Sequence, residues 1–241
     1  MESDVKKQSF HVNAYEVLAI GNEQTCAIVI DDFAKDVVSI RDEACRIPDY
    51  AEDGKTGYPG VRTPLPGAYV KTVMEAITPL LYEQYAIPST LSPNVELAYY
   101  SLLTTPARKL NPLQRLPHFD TNNTHYYAVL HYLNEGDFGG TGFFRHRPTG
   151  FERITQGRND IYKQSASAFM AVRGLPEEKY INSSTNHYEL ITGVAYKANR
   201  LVIYPGNLLH SGLVSEAVDV CNDPARGRLT ANIFIDFHQV R

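Results

Sequence analysis

The sequence predicts a mainly β protein with flanking helices, an α+β fold, and three observations lead to this expectation. From about residue 94 onward, six apolar and aromatic runs of strand length are separated by turn sequences such as NEGDFGG and YPGN. These runs do not alternate with helices, which disfavours a parallel α/β sheet. The clear helical patterns lie in the first ninety residues. We therefore expect a β-sandwich or a jelly-roll barrel.

The N-terminal part supplies the helices. Apolar residues at loose helical spacing over 34–47 predict a helix, with Asp32 as its cap. A second helical pattern runs over 71–86, and we expect a break or kink at Pro79 because proline lacks the N–H that the helix requires. Between them, GYPGVRTPLPG (57–67) holds three prolines and three glycines, so it predicts a rigid loop.

The strand-rich part predicts one domain. The segment 156–186 interrupts it and predicts an inserted cover with a short helix at 164–172, because long excursions in compact domains often lie over binding sites. Nothing in the sequence resembles a linker, so we expect a single domain over 1–241, in which 1–93 supports a core at 94–241. The predicted strands are NVELAYYSLLTT (94–105), HYYAVLHYLN (125–134), TGFFRHR (141–147), YELITGVAYK (188–197), NRLVIYP (199–205) and RLTANIFIDF (228–237).

Composition argues against several classes of protein. A net charge of −4 over 241 residues disfavours a nucleic-acid binder. Three scattered cysteines, Cys26, Cys45 and Cys221, are too few for a disulfide framework or a thiolate zinc site and predict a reducing compartment. The N-terminus shows no signal peptide, and the longest apolar run, AIVI at 27–30, is far too short to span a bilayer. We expect a cytoplasmic protein without a membrane partner.

The tripeptide HFD at 118–120 is a candidate metal clamp. Residues two apart on a strand project from the same face, so His118 and Asp120 point at a common position. One more nitrogen ligand completes the two-histidine, one-carboxylate set that leaves iron(II) open positions, and His210 follows a distant strand and tight turn. A second pair, His187 and Glu189, has the same spacing, but it lacks the downstream elements that follow His118.

An arginine strand follows the second histidine. On RLTANIFIDF, strand alternation places Arg228, Thr230 and Asn232 on one face. An arginine on an otherwise polar interior face suits a dicarboxylate through a bidentate contact. Tyr132, whose hydroxyl can donate a hydrogen bond, is a candidate to hold the same carboxylate. These residues predict an anion site in the same interior as the metal clamp.

The ordered motifs HFD, HYLNEGDFGGTGFF, NRLVIYPGNLLHSG and GRLTANIF resemble the iron(II)- and 2-oxoglutarate-dependent dioxygenases, in particular those of the prolyl-hydroxylase type. The resemblance covers roughly residues 94–240, and YPGVR and QRLPHFD also look like a bacterial branch of uncharacterised members. It implies a double-stranded β-helix (a jelly-roll, cupin-like core) with helices packed on the major sheet. It implies the metal ligands His118, Asp120 and His210, with Arg228, Tyr132 and Thr230 holding the co-substrate.

The resemblance also implies a function. Such an enzyme uses Fe(II), 2-oxoglutarate and O2 to hydroxylate a small molecule, an amino acid or a peptidyl residue, and it releases succinate and CO2. Because relatives that halogenate replace the carboxylate ligand with a small residue, Asp120 implies a hydroxylase. The insertion SEAVDVCNDPARG between His210 and Arg228 is longer than is usual for this type, so Arg226 remains a rival for the 2-oxoglutarate clamp.

The prime substrate is not specified by the sequence. Arg62, Arg145 and Asn232 are candidate substrate-binding residues, although arginines most often lie on surfaces or in structural ion pairs. Two other functions stay open: a catalytically inactive binding or scaffold protein on the same fold, and a cupin-like metalloenzyme that does not use 2-oxoglutarate. Either a monomer or a homodimer is compatible with the sequence.

Overall fold

Two antiparallel β-sheets and four helices make up the structure, a computed structural model that describes residues 9–10, 12, 14–52, 54 and 57–239. The helices are α1 (Val37–Arg46), α2 (Gly67–Gln84), α3 (Asn159–Arg173) and α4 (Glu216–Asp219). The strands are β1 (Glu16–Ile20), β2 (Thr25–Ile30), β3 (Ala51–Glu52), β4 (Gly60–Pro64), β5 (Leu91–Leu103), β6 (Tyr126–Tyr132), β7 (Thr141–His146), β8 (Tyr188–Val194), β9 (Leu201–Pro205), β10 (His210–Gly212) and β11 (Leu229–Gln239).

The larger sheet contains the strand order β1-β2-β9-β6-β11-β5-β4-β3, and the smaller one contains β10-β7-β8. The smaller sheet packs on the larger one through apolar side chains, for example the Phe143 ring against Tyr204 at 5.3 Å between centroids. The fold is therefore mostly β with some helices, as the sequence predicts. The six predicted strands correspond to β5, β6, β7, β8, β9 and β11, and they are confirmed.

Strand β11 lies inside the larger sheet, between β6 and β5. Its side chains are apolar on one face of the sheet and mostly polar on the other. Its apolar residues Leu229, Ala231, Ile233 and Ile235 belong to the main core, which α1 and α2 cover. The residues between them project from the opposite face because strand side chains alternate. Thr230 and Asn232 therefore lie on the face of the sheet opposite the helices.

Helix α1 confirms the first helical prediction but corrects its cap. The Asp36 side chain accepts a hydrogen bond from the Ser39 backbone N–H at 3.0 Å and so caps the helix. The assignment to Asp32 was wrong, because a cap must directly precede the first helical residue. Asp32 instead lies in a turn with φ of +51°, a left-handed conformation that aspartate tolerates better than most residues.

Helix α2 begins four residues before the predicted start and runs through Pro79 without ending. The expected break was wrong: Pro79 lies on the exposed side, while Ile77 and Leu80 on either side of it are buried in the core. Burial of the apolar face therefore outweighs the missing backbone hydrogen bond.

The proline-rich stretch 57–67 is only partly a loop. Strand β4 within it pairs antiparallel with β5, so the expectation of a loop throughout was wrong. Proline is tolerated near sheet edges, and β4 has only the two-residue β3 beyond it.

In the inserted segment, the predicted short helix is confirmed as part of α3. The division into one domain with an N-terminal support stays a prediction. Across the described residues, no helix combines the length and apolar character needed to cross a bilayer.

We predict that Ile77→Ala lowers the free energy of unfolding by about 2–4 kcal/mol, because Ile77 is fully buried where α2 meets the larger sheet. Urea denaturation of the purified variant measures the change. The matched control is Glu75→Ala on the exposed side of the same helix, which we expect to change stability by less than about 0.5 kcal/mol. Equal effects of the two substitutions would contradict the packing of α2.

Candidate metal centre

His118 and His210 are joined by reciprocal backbone hydrogen bonds. The His118 N–H donates to the His210 carbonyl at 2.9 Å, and the His210 N–H donates to the His118 carbonyl at 2.8 Å. Two residues on, the Asp120 N–H donates to the Gly206 carbonyl at 2.7 Å. The backbone thus fixes all three residues in space, although His118 lies outside the named strands.

The side chains of these three residues converge. One ligand atom from each of His118, Asp120 and His210 lies within 4.8 Å of the other two, and His210 Nε2 is 3.8 Å from Asp120 Oδ1. The His210 Nδ1 lies 2.8 Å from the Leu208 carbonyl, so Nδ1 carries the proton and the lone pair of Nε2 faces the cluster. Two imidazole nitrogens and one carboxylate form a donor set that suits a divalent transition metal.

The protonation states of the cluster also suit a cation. Burial lowers the pKa of both His118 and His210 to about 4, so both imidazoles are neutral near pH 7. Burial raises the pKa of Asp120 to about 6, against the opposing effect of His118. His118 and Asp120 open onto a cavity while protein surrounds them on their other sides. A divalent cation placed between them would favour the ionised carboxylate.

Arg228 lies at the same cavity and is held in place by a glycine turn. Its Nε donates to the Gly139 carbonyl at 2.7 Å, and its guanidinium lies 5.5 Å from the centre of the Tyr132 ring. A side chain on Gly139 would overlap the backbone of Leu213, so the close approach requires glycine. The buried Asp219 carboxylate accepts from the Gly139 N–H at 2.8 Å, which anchors the turn.

The remaining co-substrate candidates occupy different positions. Thr230 lines the cavity, whereas Tyr132 is not among the lining residues of the described chain, and its hydroxyl is hydrogen-bonded to Thr141 Oγ1 at 2.7 Å. Thr141 itself lines the cavity. Arg226 is exposed and, within the part of the chain that the structure describes, is not among the cavity residues. The geometry thus brings Arg228, and not Arg226, to the cavity that His118, Asp120 and His210 line.

The cavity has a volume of about 560 Å³ and also receives two of the three predicted substrate residues. Arg62 and Asn232 line it. Arg145 does not reach it within the described structure: its guanidinium donates at 2.8 Å to both the fully buried Glu152 and to Glu189. Arg145 therefore has the structural ion pairs that the sequence left as the alternative.

The second histidine–carboxylate pair of the sequence, His187 and Glu189, does not line this cavity in the described structure. The His187 ring stacks on Phe169 of α3 at 4.0 Å and its Nε2 lies 2.9 Å from Nε2 of His146. Neither histidine is among the cavity residues that the described chain contributes. The inserted segment reaches the cavity through Tyr180, whose hydroxyl donates to the Thr105 carbonyl at 2.6 Å.

The chain matches a family model and several solved structures. Residues 12–235 match the model of a family of unknown function, DUF6445. The chain belongs to this family. No curated protein matches the chain.

Among solved structures, the iron-bound crystal structure of HygX from Streptomyces hygroscopicus aligns with this DUF6445 member over 88% of this chain and 82% of that one, with 13% identity and a TM-score of 0.50. A HygX structure with nickel, 2-oxoglutarate and hygromycin B gives a TM-score of 0.49 at 13% identity, covering 88% and 83%. SnoN, described as a non-heme alpha-ketoglutarate-dependent epimerase from nogalamycin biosynthesis, gives 0.47 at 10% identity, covering 87% and 78%. The resemblance seen in the sequence is confirmed at the level of the fold.

One cavity residue, Tyr58, and one residue beside the cavity, Ser101, were not predicted from the sequence. The Tyr58 hydroxyl is buried and, among the described residues, has no hydrogen-bonding partner. Ser101 contacts two cavity residues through its side chain. Strand alternation places Ser101 on the same face of β5 as Tyr99, but nothing in the sequence shows which strand lies beside β5. Tyr58 lies in the predicted loop 57–67, and a loop prediction does not indicate which way a side chain points.

We predict that the metal-free protein loses stability as the pH falls from 6.5 towards 4. Burial lowers the pKa of five histidines to about 4, so between these pH values the unfolded chain takes up more protons than the folded one. The raised pKa of Asp120, about 6, acts in the opposite direction but is a single group. These histidines are His118, His131, His146, His187 and His210.

Urea midpoints at pH 7.5 and pH 5 measure this loss. The double variant His146→Gln, His187→Gln should lose less stability between the two pH values than the unmodified protein. The control His238→Gln changes an exposed imidazole and should leave the loss unchanged. A midpoint that does not fall on acidification would contradict the buried, neutral state of these histidines.

Proposed function

We propose that this DUF6445 member is an Fe(II)- and 2-oxoglutarate-dependent oxygenase that hydroxylates a small molecule, an amino acid or a peptidyl residue. The observation that carries the proposal is the convergence of His118, Asp120 and His210 on a cavity that also contains Arg228. We take the two sheets as the halves of a double-stranded β-helix, with the cavity between them.

The residues present fit an iron(II) ion. The two neutral imidazoles and the carboxylate would hold the ion and would leave coordination positions open for co-substrate and oxygen. The Leu208 carbonyl holds the His210 ring in the tautomer that a metal ligand needs. The bound iron would supply the oxidative chemistry, in which O2 is consumed, 2-oxoglutarate loses CO2 to become succinate, and the substrate gains a hydroxyl group.

The protein's own groups would bind and orient 2-oxoglutarate. Arg228 is nearly buried, and its guanidinium can pair with the distal carboxylate of this dicarboxylate in a low-dielectric site. Thr230 on the same strand face offers a hydroxyl, and Tyr132 would act through Thr141, which its hydroxyl contacts. Arg228 is already held by the Gly139 carbonyl, so little conformational freedom would be lost on binding.

The proposal also covers the type of oxidation, the cellular compartment and the class of substrate. Because Asp120 provides a carboxylate where a halogenase has an open position, we assign hydroxylation. Cys26, Cys45 and Cys221 are all free thiols in the structure, which is compatible with the reducing conditions of the cytoplasm. We expect a small-molecule or peptidyl substrate and no nucleic-acid partner, in keeping with the net charge of −4.

We predict that anaerobic addition of Fe(II) and then 2-oxoglutarate produces a weak visible charge-transfer band of the chelate. His118→Ala, Asp120→Ala or His210→Ala should abolish the band, because each substitution removes a ligand. His238→Ala, which changes an exposed histidine, is the matched control and should keep it. Folded protein without a band, with no iron binding by calorimetry, would instead favour a binding or scaffold protein.

A second prediction separates the two candidate arginines. Arg228→Gln should raise the dissociation constant for 2-oxoglutarate about 10–100-fold, the usual effect of losing hydrogen bonds to a charged group. Arg226→Gln removes the same charge from an exposed position and should change the constant less than about twofold. Isothermal titration in the presence of Fe(II) without oxygen measures both. The reverse ranking would make Arg226 the clamp.

A further inference from the structure

The floor of the cavity changes from polar to apolar along strand β11. Arg228, just before the strand, and then Thr230, Asn232 and Phe234 all line the cavity, at intervals of two residues on one face. Since a strand advances about 3.3 Å per residue, Asn232 lies about 13 Å and Phe234 about 20 Å from Arg228 along its axis. A five-carbon acid is shorter than either distance. With its distal carboxylate on Arg228, 2-oxoglutarate therefore leaves the end of the floor at Asn232 and Phe234 uncovered.

Apolar side chains surround Phe234 at this end of the floor. Leu97 of β5 is its partner in the strand pairing, and the Tyr126 ring of β6 lies 6.3 Å from the Phe234 ring, between centroids. Leu130 of β6 pairs with Asn232 and also lines the cavity. These four apolar side chains are only partly buried, so they present apolar surface at the cavity. An apolar ligand would remove that surface from water, which favours binding.

This apolar end borders the metal cluster. The Gly206 N–H donates to the Tyr126 carbonyl at 2.7 Å, and the Gly206 carbonyl accepts from the Asp120 N–H at 2.7 Å, so one residue joins the two. A side-chain carbon added to Gly206 would lie 2.6 Å from the Tyr126 ring and 3.4 Å from Asp120 Cβ, which shows that these side chains are neighbours. A ligand packed on Tyr126 and Phe234 would thus lie beside the carboxylate of the metal cluster.

The amide of Asn232 leaves a polar atom unmatched between the polar and apolar ends. Its Nδ2 donates to the fully buried Ser101 hydroxyl at 2.8 Å, which fixes the plane of the amide. Its Oδ1 is buried and, in the part of the chain that the structure describes, accepts no hydrogen bond. Unmatched buried acceptors are rare in proteins because burial removes their water without replacing it. At a cavity wall, such an atom points to a ligand that donates a hydrogen bond.

We propose that this end of the cavity binds the prime substrate, and that the substrate is an uncharged molecule with an apolar body and a hydroxyl or N–H group beside it. The apolar body packs on Tyr126, Phe234 and their apolar neighbours, and the hydroxyl or N–H group donates to Asn232 Oδ1. A charged group would lose its hydration against this apolar surface. The inference rests on the proposed function, because Arg228 must take 2-oxoglutarate for this end to receive the substrate. A cavity of about 560 Å³ has room for both molecules.

The test uses the protein saturated with 2-oxoglutarate and either Zn(II) or Fe(II), in the absence of oxygen. Three probes share one aromatic body: benzyl alcohol, benzyl methyl ether, which has no donor, and benzoate, which is charged. Ligand-detected NMR with the zinc-loaded protein measures affinity, and line broadening by Fe(II) reports how near a bound probe lies to the metal. We expect benzyl alcohol to bind and to be broadened, the ether to bind about three- to tenfold less tightly, and benzoate to bind least.

Two variants then separate the two contacts. Asn232→Leu should weaken binding of benzyl alcohol about three- to tenfold but leave the ether unchanged, because the ether has no hydrogen to donate to Oδ1. Phe234→Ala should weaken both probes about fivefold or more, because both lose the same apolar contact. Val172→Ala, at an exposed apolar position of α3, is the control and should alter neither affinity. An equal effect of Asn232→Leu on both probes would indicate a structural role and overturn the assignment.

The charge-transfer band is recorded on every iron-loaded sample, so the two proposals fail in different ways. If the band forms but benzyl alcohol does not bind, or binds no more tightly than the ether or benzoate, the oxygenase assignment stands and the substrate class is overturned. If the band is absent and benzyl alcohol still binds in a manner that depends on Asn232, the binding site stands and the oxygenase assignment falls. If neither band nor probe binding occurs in folded protein, both are overturned.

Discussion

The pair of backbone hydrogen bonds between His118 and His210 is the interaction on which the site depends. It joins positions 92 residues apart in the chain, and the neighbouring bond from Asp120 to the Gly206 carbonyl adds the carboxylate. Side chains positioned by the backbone lose little freedom when they bind a ligand, which favours tight binding by a small donor set. The larger sheet supports this junction, since β9 leads into the turn at Gly206.

One face of the larger sheet packs in the core, and the other face lines the cavity. Along β11, the side chains of one face are buried under α1 and α2, and those of the other line the cavity. The polar face is continuous across β4, β5 and β11, so two arginines, Arg62 and Arg228, are presented to one interior. The buried Arg228 charge would be costly in an apolar interior, and an anionic ligand would offset that cost. The distal carboxylate of the proposed co-substrate, 2-oxoglutarate, would satisfy this requirement.

The sequence predicted the parts of the site that depend on local order and missed those that depend on strand neighbours. Residue alternation on β11 predicted that Arg228 and Asn232 share a face, and both line the cavity. The spacing of His118 and Asp120, together with the order of the histidine motifs, predicted that these two residues and His210 converge. The sequence did not show that Arg145 would pair with Glu152, which follows from tertiary contacts. The sequence also predicted a loop over 57–67, because its prolines are typical of loops. In the structure, strand β4 lies in this stretch and pairs with β5, which places Arg62 at the cavity.

An anaerobic crystal structure with Fe(II) and 2-oxoglutarate would test the proposed metal centre most directly, because anomalous scattering at the iron edge locates the metal. We expect one strong peak bonded to His118, Asp120 and His210, with the distal carboxylate of 2-oxoglutarate on Arg228. A peak outside this cluster, or 2-oxoglutarate held by Arg62 instead of Arg228, would contradict it.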